Sequence, residues 1–219
     1  MRGIEKVDII KKIFDNLEKN NIKPFYLEAK EEVVGLVSQL INEGDTVTSG
    51  GSHSLFESGV VELLESGRYN FLNRYAVPRE NRRDIELKAM DADAYFCSCN
   101  AITENGELYN VDGNSNRISA IAFGPKSVIM IVGKNKIVKN LDEAVKRIKT
   151  FTSPELCRLK GRNTYCKETG ICISVANNDA NMTSGCDSPE RICCSFLVTG
   201  KQRFKNRIKV ILVNEDLGV

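Results

Sequence analysis

The sequence contains no tryptophan and a single histidine, His53. His53 is therefore the only side chain whose ordinary pKa falls near neutrality. Neither sign of charge is in excess. There are 31 basic and 29 acidic residues, for a net charge of +2. That balance argues against a nucleic-acid partner or a membrane surface, which call for a basic excess. The longest apolar runs, such as Val128–Val132, are too short to span a bilayer. The start, Met1 to Asp8, is charged and has no continuous apolar segment, so no secretory signal is expected. With 42% hydrophobic and 27% charged residues, the composition is that of an ordinary globular protein rather than a disordered chain. The expectation is a cytoplasmic protein.

What is present in quantity is cysteine. There are eight, and Cys157, Cys166, Cys172, Cys186, Cys193 and Cys194 crowd one stretch. In a reducing compartment clustered thiols point to metal binding or reactivity before disulfides.

The spacing of apolar residues sets out alternating helices and strands. Ile4, Val7, Ile10, Ile13, Phe14 and Leu17 recur at helical spacing over 4–20. Phe25–Leu27 is a strand, and a helix follows from Lys30 to Asn42, with Gly44 as its stop. Asp45–Thr48 is a strand leading into a helix over Leu55–Glu65, and Tyr69–Leu72 is a further strand. Residues 80–92 have a charged helical pattern. Ala94–Cys97 is a strand, and Ile102–Tyr109 has a hairpin signal at Asn105-Gly106. A polar loop, Asp112–Asn116, precedes a helix over Ile118–Phe123. Ser127–Val132 is a buried strand, and Leu141–Lys149 is a helix that continues towards Leu159. Such alternation predicts an α/β fold with a mostly parallel sheet flanked by helices. From 161 to 205 the pattern gives way to Gly, Asn, Thr and Cys, with a strand at Ile192–Val198. This reads as a Cys-rich insertion near the C-terminus of a single domain spanning 1–219, before Ile208–Val213 returns to the sheet.

Four constellations carry candidate chemistry. In Thr48-Ser-Gly-Gly-Ser-His-Ser-Leu55 a strand ends, and glycines let backbone approach a ligand. Ser49, Gly50, Gly51 and Ser52 would bind an anion through backbone N–H groups, with His53 as acid/base. The plainer alternative is a tight turn capped by Ser52. Asn100–Gly106 and Asn110–Arg117 supply directional polar groups. There Asn100, Asp112 and Asn116 are candidate ligand contacts, and Arg117 a fork for an oxyanion. The alternative is two ordinary turns. Gly133-Lys-Asn-Lys136 follows the most apolar strand, which nominates Lys134 to neutralise an anion. All three loops follow strand ends, where ligands sit in open α/β sheets. The fourth set is Cys166, Cys172, Cys186 and Cys193, four thiolates suited to zinc or an iron–sulfur cluster. No Cys-x2-Cys knuckle is present, so buried thiols and a disulfide stay open as alternatives. Cys97 and Cys99 alternate on a strand and are expected to face opposite sides.

These motifs, with Phe123-Gly-Pro-Lys126 and the tail Val213–Gly218, resemble the lactate-utilization (LUD) domain family over about 5–219. Glu168–Cys172 and Cys186–Cys193 resemble the cysteine region of its stand-alone members. The resemblance implies a fold like the NagB/RpiA/CoA-transferase group, with ligands above the carboxyl edge of the sheet. It also implies a role in oxidising lactate to pyruvate, in a system whose sister subunits carry iron–sulfur clusters. The expected ligand is then a small anionic metabolite, a carboxylate or a phosphorylated compound. The alternatives are a metal or iron–sulfur redox protein and a non-catalytic subunit docking oxidoreductase subunits. The chain also departs from the fold's known enzymes. No copy of the CoA-transferase glutamate motif is found, and Asn100 stands where the isomerases carry an acid. Asn100 cannot act as a general base, so neither activity transfers. Cys97 and Cys99 replace residues expected to be small or hydroxylated, and Ser174–Ser184 is long for the family.

Overall fold

A computed structural model describes residues 3–219. Six parallel strands form the main sheet: β1 (Lys23–Leu27), β2 (Thr46–Ser49), β3 (Asn70–Leu72), β4 (Ala94–Cys97), β7 (Ser127–Gly133) and β10 (Ile208–Val213). Their order is β1-β10-β7-β4-β2-β3. The mostly parallel α/β sheet read from the sequence is present. A second sheet of four strands holds β5 (Ala101–Thr103), β6 (Leu108–Asp112), β8 (Ile137–Val138) and β9 (Ser195–Thr199), ordered β8-β5-β6-β9.

The strands are apolar on both faces because helices cover both, as parallel sheets require. On β7, Ile129 and Ile131 point to one face, where they pack with Val33 and Val37 of α2 (Val33–Leu40). The same cluster takes Leu55 from α3 (His53–Glu57) and Val60 and Leu64 from α4 (Val60–Leu64). Val128, Met130 and Val132 point to the other face. There they meet Ile13 and Leu17 of α1 (Gly3–Lys19) and Ala120 and Ile121 of α6 (Asn116–Ala122). Each fully buried aliphatic side chain contributes roughly 1.5–3 kcal/mol. The charged segment at 80–92 forms α5 (Arg82–Lys88) between two 3-10 turns.

Two element boundaries differ from expectation. The helix read over Leu55–Glu65 is broken in two, with the chain turning at Ser58 and Gly59, whose φ is +71°. Glycine adopts that angle without a Cβ clash. The strand read over Ile192–Val198 begins instead at Ser195. The hairpin at Asn105-Gly106 forms as read, as β5 and β6 pair antiparallel. Gly106, with φ +75°, packs on the end of α1, where an added Cβ would stand 2.8 Å from Leu17 N.

The helix over Leu141–Lys149 does continue towards Leu159. It runs as α7 (Leu141–Arg147), a turn of π-helix at Ile148–Thr152, and α8 (Ser153–Leu159). Beyond it, α9 (Tyr165–Thr169) and α10 (Ile173–Ala176) lie within the cysteine-rich segment. That segment also supplies β9, which pairs with β6. It is thus stitched into the second sheet as well as holding cysteines.

Candidate functional site

A crevice of about 310 Å3 opens where β2, β4 and β7 end. Its walls come from the start of α3, from β6 and α6, from α8, and from the cysteine-rich segment. Basic side chains dominate the lining: Arg74, Arg117, Lys136, Lys160, Arg162 and Arg191. Among the described residues the side-chain carboxylates lining it are Asp112 and Glu190. Both are engaged. Asp112 accepts the N–H groups of Asn114 (3.2 Å) and Arg117 (3.0 Å), and Glu190 that of Asn163.

The centre of the crevice is Lys136, on the 3-10 turn after β7 and only 3% exposed. Its ammonium donates to Ser54 Oγ at 2.9 Å and Ser98 Oγ at 2.8 Å. Those hydroxyls in turn donate to the carbonyls of Leu217 and Cys99. Burial lowers its pKa to about 8, and Arg147 and Arg117 push in the same direction. Cys99 opposes them, and the acidic influence of Glu57 is the smallest. A buried cation held by neutral hydroxyls, with no carboxylate against it, is an incomplete electrostatic arrangement.

The expected site residues divide into two groups. Gly51, Ser52, His53, Asn100, Asp112, Asn116 and Arg117 do line the crevice. His53 is exposed at its rim, as the first residue of α3. Ser52 holds the N-cap position, but its side chain makes no cap hydrogen bond. Three residues lie elsewhere. Ser49 is buried beside Tyr95 in a separate small pocket, and its Oγ has no partner. Gly50 is also buried, with its Cα facing Tyr95, so that an added Cβ would stand 2.7 Å from Tyr95 Oη. Lys134 is exposed and lines an apolar groove with Ile9, Ile10 and Tyr26. The 3-10 turn carries the lysine two positions on, Lys136, into the crevice instead.

Arg117 does not offer a free fork. Its Nη1 donates to Ser98 O (3.1 Å) and Asn110 Oδ1 (2.6 Å). Its Nη2 donates to Asn100 Oδ1 (2.8 Å) and Val111 O (2.7 Å). Both terminal nitrogens are filled by the protein, so Arg117 fastens the wall rather than gripping an anion. Arg147 plays a similar part, donating to Asn100 O (2.9 Å), Asn135 O (3.2 Å) and Thr152 Oγ1. By contrast, Arg162 Nε is buried without a protein acceptor.

Cys97 and Cys99 do not face opposite sides. They pack in one cluster, because residues two apart along an extended chain share a face. Cys99 reaches the crevice, but burial raises its pKa, so it is not an activated thiolate.

The four cysteines of the expected metal set do come together. Cys166, Cys172, Cys186 and Cys193 line one narrow cavity of about 20 Å3 with Lys149 and Tyr109. All eight cysteines are free thiols. Lys149 is buried and donates to Ser174 Oγ (2.9 Å) and Ser184 O. Tyr109 Oη is buried with no partner. Cys157 neighbours Cys166, and the pairing of the two thiols lowers the pKa of Cys157 while raising that of Cys166. Among the described residues, no three His, Cys, Asp or Glu side chains are placed to hold a single metal ion. Ile148 and Ser153 line both this cavity and the crevice, so the two are neighbours.

The LUD domain signature matches residues 10–213. The chain belongs to the LUD domain family. Among solved structures, this LUD protein is similar to a DUF162 family protein from Deinococcus radiodurans, with TM-score 0.52 and 16% identity. That match covers 94% of this chain and 97% of the other. Lesser similarity is found to eIF2B delta from Chaetomium thermophilum, with TM-score 0.36, 21% identity and 51% and 49% of the two chains covered. For eIF2B beta from the same organism the values are 0.38, 14%, and 62% and 48%. No curated protein matches the chain. Among the described residues of this LUD protein, no helix is long and apolar enough to cross a membrane.

Proposed function

We propose that this LUD protein binds a small carboxylate or phosphorylated metabolite in the crevice, as part of lactate and pyruvate oxidation. Lys136 is the observation that carries this reading. A buried ammonium with two hydroxyl partners and no carboxylate is completed by an anionic ligand. The basic lining supports the same sign of ligand, and Arg162 supplies a further unsatisfied donor. Calorimetry with L-lactate, pyruvate and inorganic phosphate tests it. Wild type binds at least one of the three. K136M weakens that binding at least about tenfold, the loss of one charge-assisted contact, while K134A leaves it unchanged. Wild-type protein that binds none of them at millimolar concentration sinks the proposal.

A second reading is supported by the cysteine cavity. We propose that Cys166, Cys172, Cys186 and Cys193 hold an iron–sulfur cluster. They share one cavity, Tyr109 Oη there lacks a partner, and Lys149 offsets thiolate charge. Four such thiolates suit an iron–sulfur cluster, which supplies one-electron chemistry, and zinc would take the same four ligands. Oxygen-free purification with iron, sulfide and zinc analysis decides. Iron with sulfide and brown colour support a cluster, zinc alone replaces it with a structural ion, and metal-free colourless protein ends the reading.

A further inference from the structure

Lys136 has a property that simple anion binding does not use. Its amine is the reactive kind. It is withdrawn from water, held by two hydroxyls, and shares the region with Arg147 and Arg117, whose positive charges disfavour its own. Desolvation and neighbouring cations are the two means by which a lysine becomes a nucleophile towards carbonyl carbon. A pKa of about 8 leaves a sizeable neutral fraction near neutrality, which an exposed lysine lacks. The adjoining cavity, about 310 Å3, has room for a small metabolite. Arg162, with its unpaired Nε, lies in the same lining and suits a carboxylate.

We infer that Lys136 is a covalent binding site for 2-oxo acids, its amine condensing with the ketone carbon while the crevice cations hold the carboxylate. This inference rests on the crevice being an anion site, and it narrows the ligand to carboxylates that carry an adjacent ketone. In the step, Lys136 first loses a proton to solvent. The neutral amine forms a C–N bond to the ketone carbon; the nitrogen then gives up a proton and the former ketone oxygen takes one up, leaving a neutral carbinolamine. The hydroxyl then takes a second proton and leaves as water, giving an iminium. The net change is ammonium plus ketone to iminium plus water, with no oxidation or reduction. A 2-hydroxy acid such as L-lactate has no ketone and binds here only non-covalently.

Reductive trapping tests the step on the intact protein. Wild type is incubated with pyruvate and sodium cyanoborohydride, digested, and mapped by mass spectrometry. A carboxyethyl group is expected on Lys136, formed at least about tenfold faster than on surface lysines, as a depressed pKa predicts. Acetate, which offers a carboxylate without a ketone, slows the labelling by competition. K136R folds with its charge retained and loses the adduct at this position. Mapping on wild type keeps the test valid even where a variant fails to fold. Adducts spread over surface lysines with none at Lys136 overturn the inference. If calorimetry still shows binding of pyruvate, L-lactate or phosphate in that case, the anion site stands without the covalent step. If none of the three binds, both fall.

Discussion

Arg117 Nη2 stands 2.8 Å from Asn100 Oδ1, and that same oxygen accepts the N–H of Val111 at 2.9 Å. Two residues that suggest ligand contacts in the sequence thus satisfy each other and tie the turn after β4 to β6. The contact is an internal brace of the crevice wall.

It follows that replacing Arg117 with alanine costs stability before it costs binding. Four hydrogen bonds are lost and buried acceptors are left bare. We expect a loss of about 2–4 kcal/mol in urea unfolding, given that charge-assisted bonds contribute roughly 1.5–3 kcal/mol each and are not additive. An R117A protein of unchanged stability with lost anion affinity would instead make Arg117 a ligand contact.

Lys136 gives the protein a distinctive pH dependence. Its folded pKa, about 8, lies below that of an unfolded lysine. Between those values the unfolded chain binds more protons, so stability rises with pH. The penalty is fully present below pH 8 and is relieved as pH climbs towards 10, by about 3 kcal/mol in all. K136M removes this slope and is more stable than wild type at pH 7, as observed when buried charges are replaced by apolar groups. Anion affinity runs the other way and falls as pH rises through about 8. Urea titrations at a series of pH values, with calorimetry alongside, read both trends.

Gly50 is fixed by Tyr95 rather than by a ligand. An added Cβ would meet Tyr95 Oη at 2.7 Å and Arg117 Cδ at 3.4 Å. G50A is expected to lose about 1–3 kcal/mol by overpacking, and adding Y95F should restore part of it. A double variant no more stable than G50A refutes steric contact with the hydroxyl as the cause.

At the hairpin, Gly106 has both a positive φ and a backbone neighbour where its Cβ would be. G106A should therefore destabilise by about 2–4 kcal/mol, more than the usual glycine-to-alanine change at an open left-handed position. Thermal unfolding of G106A beside G44A, whose added Cβ meets nothing within 4 Å, separates conformational strain from the clash.

Much of the architecture is legible in the residues, because periodicity is a local signal. Ser127–Val132 has too many consecutive apolar residues for anything but a two-sided buried strand, and Asn105-Gly106 fixes the hairpin. The break at Ser58-Gly59 is not legible, because the apolar spacing continues across it. The site was legible as loops but not as side chains. Strand-end position nominates Gly133–Lys136, yet choosing Lys136 over Lys134 needs the phase of a three-residue turn. Nor does spacing reveal that Arg117 is already saturated, since its four acceptors come from Ser98, Asn100, Asn110 and Val111 on two separate segments. The convergence of four cysteines could be anticipated only as a pattern; their shared cavity depends on how α9, α10 and the turn before β9 fold back on the π-turn.

The placement of β10 has a consequence for synthesis on the ribosome. It lies between β1 and β7, so residues 208–213 join the two parts of the main sheet. Until they emerge, β1 and β7 each present an open hydrogen-bonding edge, and β1 has no strand to pair with at all. Until residues 208–213 are made, the nascent chain must keep those edges from neighbouring polypeptides, the circumstance in which strand-rich intermediates associate wrongly. Holding chaperones are thus expected to engage this chain until β10 closes the gap.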